Sequence, residues 1–144
     1  MSKAEQAKEN FLNGYNCAQS VILAFADDIN MDKETALKIA SPFGGGLGGL
    51  REVCGAVSAM SMIIGMKNGY SDPKSQKEKK ELYSLIQKAA KEFEEENGSI
   101  ICGVLLGVKE KCQPPEERTK EYYKKRPCAD LVAMAAGICE EAIK

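Results

Sequence analysis

Four cysteines stand where the sequence predicts that a helix begins, and the chain contains no histidine. These cysteines are Cys17, Cys54, Cys102 and Cys128. A helix N-terminus carries a partial positive charge and free N–H groups, which lower a cysteine pKa from about 8.5. Since the thiolate attacks disulfides, oxidises and binds soft metals, the four positions predict sulfur chemistry.

These four cysteines are far apart along the chain, and no C-x-x-C pair occurs. Zinc ribbons and thioredoxin-like sites depend on such close pairs. A shared site must therefore be assembled from four separate helix ends. The lack of histidine also excludes Ser–His–Asp hydrolysis and histidine-ligated metals.

The other two cysteines fit simpler interpretations. Cys139 lies in the middle of a predicted helix, on its apolar stripe, and is expected in the core. Cys112 has lysines nearby and precedes a polar loop, so we expect an exposed thiol.

Composition limits the class of protein. A chain of 144 residues is most simply one domain, 1–144, and a net charge of −1 argues against binding nucleic acid or an anionic membrane. The first residues lack the apolar stretch of a signal peptide, and the longest apolar run, 53–66, is too short to span a bilayer. We expect a cytoplasmic protein without membrane insertion, in which structural disulfides are rare.

The elements that must position the cysteines are all predicted to be helices. Helical spacing of apolar residues and capping residues predict helices at 4–12, 17–25, 33–40, 53–66, 73–97, 100–106 and 128–142. Asn16 with Gln19, Asp32 and Ser99 are the predicted caps. The polar stretch 109–127 is interpreted as a loop with one exposed turn. The fold class is therefore all-α, a single-domain bundle of six or seven helices with 53–66 buried at its centre.

A glycine-rich loop precedes the predicted central helix. Its glycines formally match G-x-G-x-x-G, but a helix and a proline precede them instead of a strand, so dinucleotide binding is not predicted. Glycine lacks a Cβ, so the loop can serve as a flexible lead into the helix or approach a ligand or the Cys54 sulfur. The candidate cofactor-binding glycines are Gly45, Gly46, Gly48 and Gly55.

At these motifs the chain resembles a family of redox-active proteins named for a C…C-G-A-x-x-G…C…C arrangement. The similarity covers N-C-A-Q-S-V from Asn16, the glycine run, C-G-A from Cys54 and C-A-D-L-V from Cys128. The resemblance implies redox association and places the four family cysteines on the same four positions selected above. Ala59 replaces the last glycine of the motif.

Three functions remain open at this point. The first is a thiol–disulfide protein in which Cys54 and one partner cysteine cycle, with a redox partner protein. The second is a metal or iron–sulfur carrier that uses all four thiolates. Taking the three functions together, the cofactor is either an iron–sulfur cluster or none. The third is a non-catalytic interaction module, such as a homodimer, that presents Tyr122, Tyr123 or the charged face of 74–91.

Overall fold

The computed structural model of the chain describes residues 1–108 and 110–144, and this part of the chain is all-α. Its helices are α1 (Lys3–Leu12), α2 (Cys17–Phe25), α3 (Lys33–Ala40), α4 (Gly55–Asn68), α5 (Gln76–Asn97), α6 (Cys102–Leu106), α7 (Lys120–Lys125) and α8 (Cys128–Ala142). A 3₁₀ turn, Ser41–Phe43, and a short turn, Gly44–Leu47, connect α3 to the loop before α4. The predicted fold class is confirmed.

Two helices share the centre of the bundle. Helix α4 is buried through Ile64, as predicted, although its last residues are exposed. Helix α2 is equally central, because it packs against α1, α3, α4 and α8. The side chains of Val21, Ile22 and Phe25 are almost wholly buried there. The start of α2 is therefore fixed by four neighbouring helices.

Two predicted helix starts are wrong for one local reason. Val53 and Ile101 form an isolated antiparallel bridge, so α4 begins only at Gly55 and α6 only at Cys102. Ser99 is not the cap of α6, because its hydroxyl accepts the Ile101 N–H at 2.9 Å before the helix begins. The turn predicted near Tyr122 is the separate helix α7, which makes eight helices in the described residues instead of six or seven.

The predicted cap of α2 is confirmed and also ties two elements together. The Asn16 side-chain oxygen accepts the Gln19 backbone N–H at 2.9 Å, and the Asn16 backbone N–H donates to the Gln19 Oε1 at 3.2 Å. The Asn16 amide also donates to the Ser41 carbonyl at 3.1 Å, beside the glycine-rich loop. This residue therefore anchors the helix start and the neighbouring turn.

We expect Asn16→Ala to lower the free energy of unfolding by about 1–2 kcal/mol, because both the cap and the link to Ser41 are lost. Urea denaturation followed by circular dichroism measures the change. Asp32→Ala is the matched control, since Asp32 caps α3 through Thr35 alone. Equal losses in the two variants would show that the contact with Ser41 adds nothing.

In the described part of the chain, no helix combines the length and apolar character needed to cross a bilayer.

Candidate functional site

The four helix-start cysteines line one cavity of about 540 Å³. Cys17, Cys102 and Cys128 are the first residues of α2, α6 and α8, and Cys54 directly precedes α4. Cys17 is half-buried and the other three are buried, and all four thiols are free. The structure thus brings together the residues that the sequence selected, while their catalytic role stays a prediction.

The bridge between Val53 and Ile101 holds two of these cysteines beside each other. The Cys54 N–H donates to the Ile100 carbonyl at 2.7 Å, and the Cys102 N–H donates to the Glu52 carbonyl at 2.6 Å. At the start of α6, this backbone hydrogen bond stands where the sequence predicted a Ser99 cap. The two hydrogen bonds fix α4 and α6 at one wall of the cavity.

Two glycines permit the close packing behind this wall. A Cβ on Gly46 would lie 2.6 Å from the Cys102 Cβ and 2.8 Å from the Glu52 nitrogen. A Cβ on Gly55 would lie 2.7 Å from the Phe43 carbonyl oxygen and 3.2 Å from a backbone nitrogen at the start of α2. Gly45 and Gly48 also line the cavity, and cofactor binding by these four glycines stays a prediction.

Cys17 and Cys128 are two thiols that strongly influence each other's ionisation. The interaction with Cys128, together with burial, raises the pKa of Cys17 well above its ordinary value. The interaction with Cys17, followed by the charges of nearby arginines, lowers the pKa of Cys128 to about 7 despite its burial. Of these two sulfurs, Cys128 is therefore the one that ionises more readily near neutral pH.

Cys54 does not behave as the helix-start argument predicted. Burial raises its pKa to about 11 and outweighs the N–H groups of Ala56 and Val57, which act in the opposite direction. Ionising a thiol that is excluded from water costs desolvation free energy. At Cys54 this cost exceeds the stabilisation of the thiolate by the helix N-terminus. Cys54 is thus a poor choice for the attacking sulfur.

All three arginines of the chain line this cavity. The Arg51 Nη1 donates to the Cys102 sulfur at 3.6 Å. The Arg118 guanidinium donates to the Phe11 and Tyr15 carbonyls at 3.2 and 3.0 Å, and Arg126 is paired with Glu116. Sequence reasoning missed these residues. The sequence does contain a feature that could have identified them. Only three of the twenty basic residues are arginine, and each lies next to a cysteine motif or in the polar loop.

The Tyr122 region is not the exposed surface that the sequence predicted. Arg118 stacks over Phe11 and Tyr122, 4.4 and 4.8 Å from the ring centroids, and Tyr122 meets Tyr123 edge-on at 5.4 Å. Cation–π and edge-to-face contacts of this kind hold both tyrosines half-buried. Tyr122 therefore lines the cavity.

The remaining cysteines lie outside the cavity lining. Cys139 is completely buried, as predicted, and burial raises its pKa to about 12. Cys112 is exposed, as predicted, and its N–H donates to the Gly49 carbonyl at 2.9 Å. Ala59 is also completely buried, in the core around α4.

The described residues do not present a group of side chains that could ligate a single metal ion. Across residues 1–108 and 110–144, no three cysteine, aspartate or glutamate side chains are grouped so that they could hold one.

The fold and the cavity define a class: an all-α protein in which cysteines from four separated helix starts face one arginine-lined cavity. Residues 15–142 match the model of a family described as "Putative redox-active protein (C_GCAxxG_C_C)", and the chain belongs to that family. No curated protein and no solved structure matches the chain.

Proposed function

We propose that this redox-family protein catalyses thiol–disulfide exchange, with Cys128 as the attacking sulfur and Cys17 as the resolving sulfur. The observation that carries the proposal is that Cys17 and Cys128 line the same cavity, as the first residues of two helices that pack against each other. Their interaction lowers the pKa of the sulfur that must attack and leaves a second thiol nearby to resolve the mixed disulfide.

The reaction balances in two exchanges. The Cys128 thiolate attacks a disulfide R–S–S–R, so that a mixed disulfide forms and one RS⁻ leaves. That leaving thiolate takes the proton of the Cys17 thiol. The resulting Cys17 thiolate attacks the Cys128 sulfur, forming the internal disulfide and releasing the second R–S⁻, which takes a proton from solvent. Two electrons pass from the protein dithiol to the substrate, which is reduced to two thiols.

The pair Cys17–Cys128 replaces the pairing around Cys54 that we expected from the sequence. Cys54 and Cys102 lie on the wall formed by the starts of α4 and α6, where burial keeps Cys54 protonated. We assign these two a supporting part in shaping the cavity.

An iron–sulfur carrier is the alternative, favoured by the presence of four cysteines around one cavity. Iron, zinc and sulfide content of protein purified without oxygen distinguishes the two functions. Near-stoichiometric iron with sulfide, lost when Cys54 or Cys102 is replaced, would favour the carrier over exchange.

The central test is a trapping experiment with Cys17→Ser. Serine keeps a hydroxyl donor towards Cys128 but cannot resolve, so a mixed disulfide with the substrate is expected to accumulate at Cys128. The wild-type protein should instead yield a Cys17–Cys128 disulfide, identified by peptide mass spectrometry after alkylation of free thiols.

Cys128→Ser and Cys139→Ser provide the controls for this test. The first should form neither species, whereas the second removes a buried core thiol and should react like the wild type if it folds. Failure of the reduced wild type to form the Cys17–Cys128 disulfide under mild oxidation would refute the proposed function. A redox partner protein, a homodimer and a cytoplasmic location stay predictions from the sequence.

A further inference from the structure

The cavity has an unusual balance of charge for the chain as a whole. The protein has nearly equal numbers of acidic and basic residues, but the cavity is lined by three arginines and by one carboxylate, Glu116. Glu116 pairs with Arg126, so the charges of Arg51 and Arg118 have no acidic partner among the cavity-lining residues. The empty space beside Cys128 is therefore electropositive.

Arginine is also used here to the exclusion of lysine. Lysine is by far the commoner basic residue of the sequence, yet none of the lysines that the structure describes lines the cavity. A guanidinium presents a rigid fork of N–H donors that matches a carboxylate, and it tolerates partial burial better than an ammonium group. This choice of residue type favours a planar anionic group as the ligand.

Arg51 has an unsatisfied donor and a strained backbone. Its Nε is the only buried side-chain nitrogen or oxygen without a hydrogen-bond partner in the described residues. Its φ of 61° lies in the left-handed region, which is uncommon for a residue with a side chain. Hydrogen bonds on both sides, from its N–H to Gly45 and from Gly103 to its carbonyl, hold this conformation. Such strain is typical of residues positioned for a ligand.

Arg118 is oriented by fixed contacts that leave donors available. Arg118 uses two N–H groups on backbone carbonyls and lies against aromatic rings. A guanidinium has five N–H donors, so these bonds do not exhaust it. The cavity volume of about 540 Å³ lies within the range of small-molecule sites and is too small for a folded partner domain.

From this arrangement we infer that the disulfide substrate is a small molecule that bears carboxylates, which Arg51 and Arg118 bind while its sulfurs face Cys128. This inference rests on the proposed function and adds the chemical class of the substrate. Binding of the carboxylate also brings a second negative group near the thiolate, so the arginines must offset repulsion as well as attract the ligand.

The test compares three small disulfides of similar size and different charge. These are 3,3′-dithiodipropionate (anionic), bis(2-hydroxyethyl) disulfide (neutral) and cystamine (cationic). The rate at which each converts the reduced protein to the Cys17–Cys128 disulfide is divided by the rate at which free dithiothreitol reduces it, which corrects for intrinsic reactivity. We expect the corrected rate for the anionic disulfide to exceed that for the neutral one by about tenfold or more, as charge-assisted hydrogen bonds imply.

Arg51→Gln is expected to reduce this preference for the anionic disulfide. Because the ratio of two substrates is taken within one variant, a changed thiolate fraction on Cys128 cancels. Lys79→Gln, on α5 and outside the cavity lining, is the matched charge control and should keep the wild-type ratio.

The outcomes separate this inference from the proposed function. Equal corrected rates for all three disulfides, or a preference for cystamine, would overturn the carboxylate inference while the exchange activity stands. If none of the three produces the Cys17–Cys128 disulfide, the proposed function itself fails. An anion preference that Arg51→Gln leaves unchanged would remove Arg51 from the binding site.

Discussion

Cys128 is expected to be alkylated by iodoacetamide about 100-fold faster than Cys54 at pH 7. With a pKa of about 7, half of Cys128 is thiolate at this pH, whereas a pKa of about 11 leaves about one Cys54 in 10⁴ ionised. The lower intrinsic nucleophilicity of a more acidic thiol offsets part of this ratio of thiolate fractions, by a factor of about 50. Timed quenching with peptide mass spectrometry gives the rate at each cysteine.

The pH profile of the Cys128 rate shows the sign of the effect. Because the thiolate is the reactive form, the rate should rise with pH and reach half its maximum near 7. Cys17→Ala removes the neighbouring thiol, whose interaction is the largest influence on the Cys128 pKa, and should move this midpoint upward. Cys17→Ser keeps a donor and should move it less. A wild-type midpoint of 9 or above would contradict the role given to the pair.

Gly46→Ala is expected to cost about 3 kcal/mol of unfolding free energy and to open the wall around Cys102. The added methyl group would lie 2.6 Å from the Cys102 Cβ and 2.9 Å from the Arg51 carbonyl carbon. Backbone atoms cannot rotate away as a side chain can, so the loop or α6 must shift. Urea denaturation measures the stability, and the alkylation rate of Cys102 reports the opening.

Gly107→Ala separates the two contributions to this cost. Gly107 has a φ of 66°, close to the 69° of Gly46, but among the described residues no atom lies within 4 Å of its added Cβ. It should therefore lose only the cost of a left-handed backbone, about 1 kcal/mol. Equal losses at both glycines would show that close packing against Cys102 contributes nothing.

Much of the fold and the membership of the site could be predicted because they depend on local pattern. Asn16 and Gln19 identify the start of α2, and the apolar spacing from Cys128 identifies α8. The four helix-start cysteines can therefore be selected without knowledge of any tertiary contact. The roles within the set could not be assigned, since the meeting of Cys17 with Cys128 depends on how α2 packs against α8.

The errors have physical causes that local pattern does not contain. Cys54 was expected to be acidic because it precedes a helix, but burial at the bundle centre reverses the direction of its pKa shift. Tyr122 was expected to be exposed because its neighbours are charged, but Arg118 stacks on it and covers it. Arginine and lysine contribute equally to net charge, so the count of charges hid the residues that line the cavity.

The reactive pair joins the second helix to the last one, so an internal disulfide would enclose most of the polypeptide in a covalent ring. A ring of about 100 residues removes enough freedom from the unfolded chain to stabilise the fold by about 4.7 kcal/mol in the chain-entropy model. The oxidised protein would then resist unfolding far more than the reduced protein. By thermodynamic linkage, the two thiols would then be oxidised more readily in the folded chain than in the unfolded chain. Conformational stability and reduction potential would thus be two measurements of one free energy.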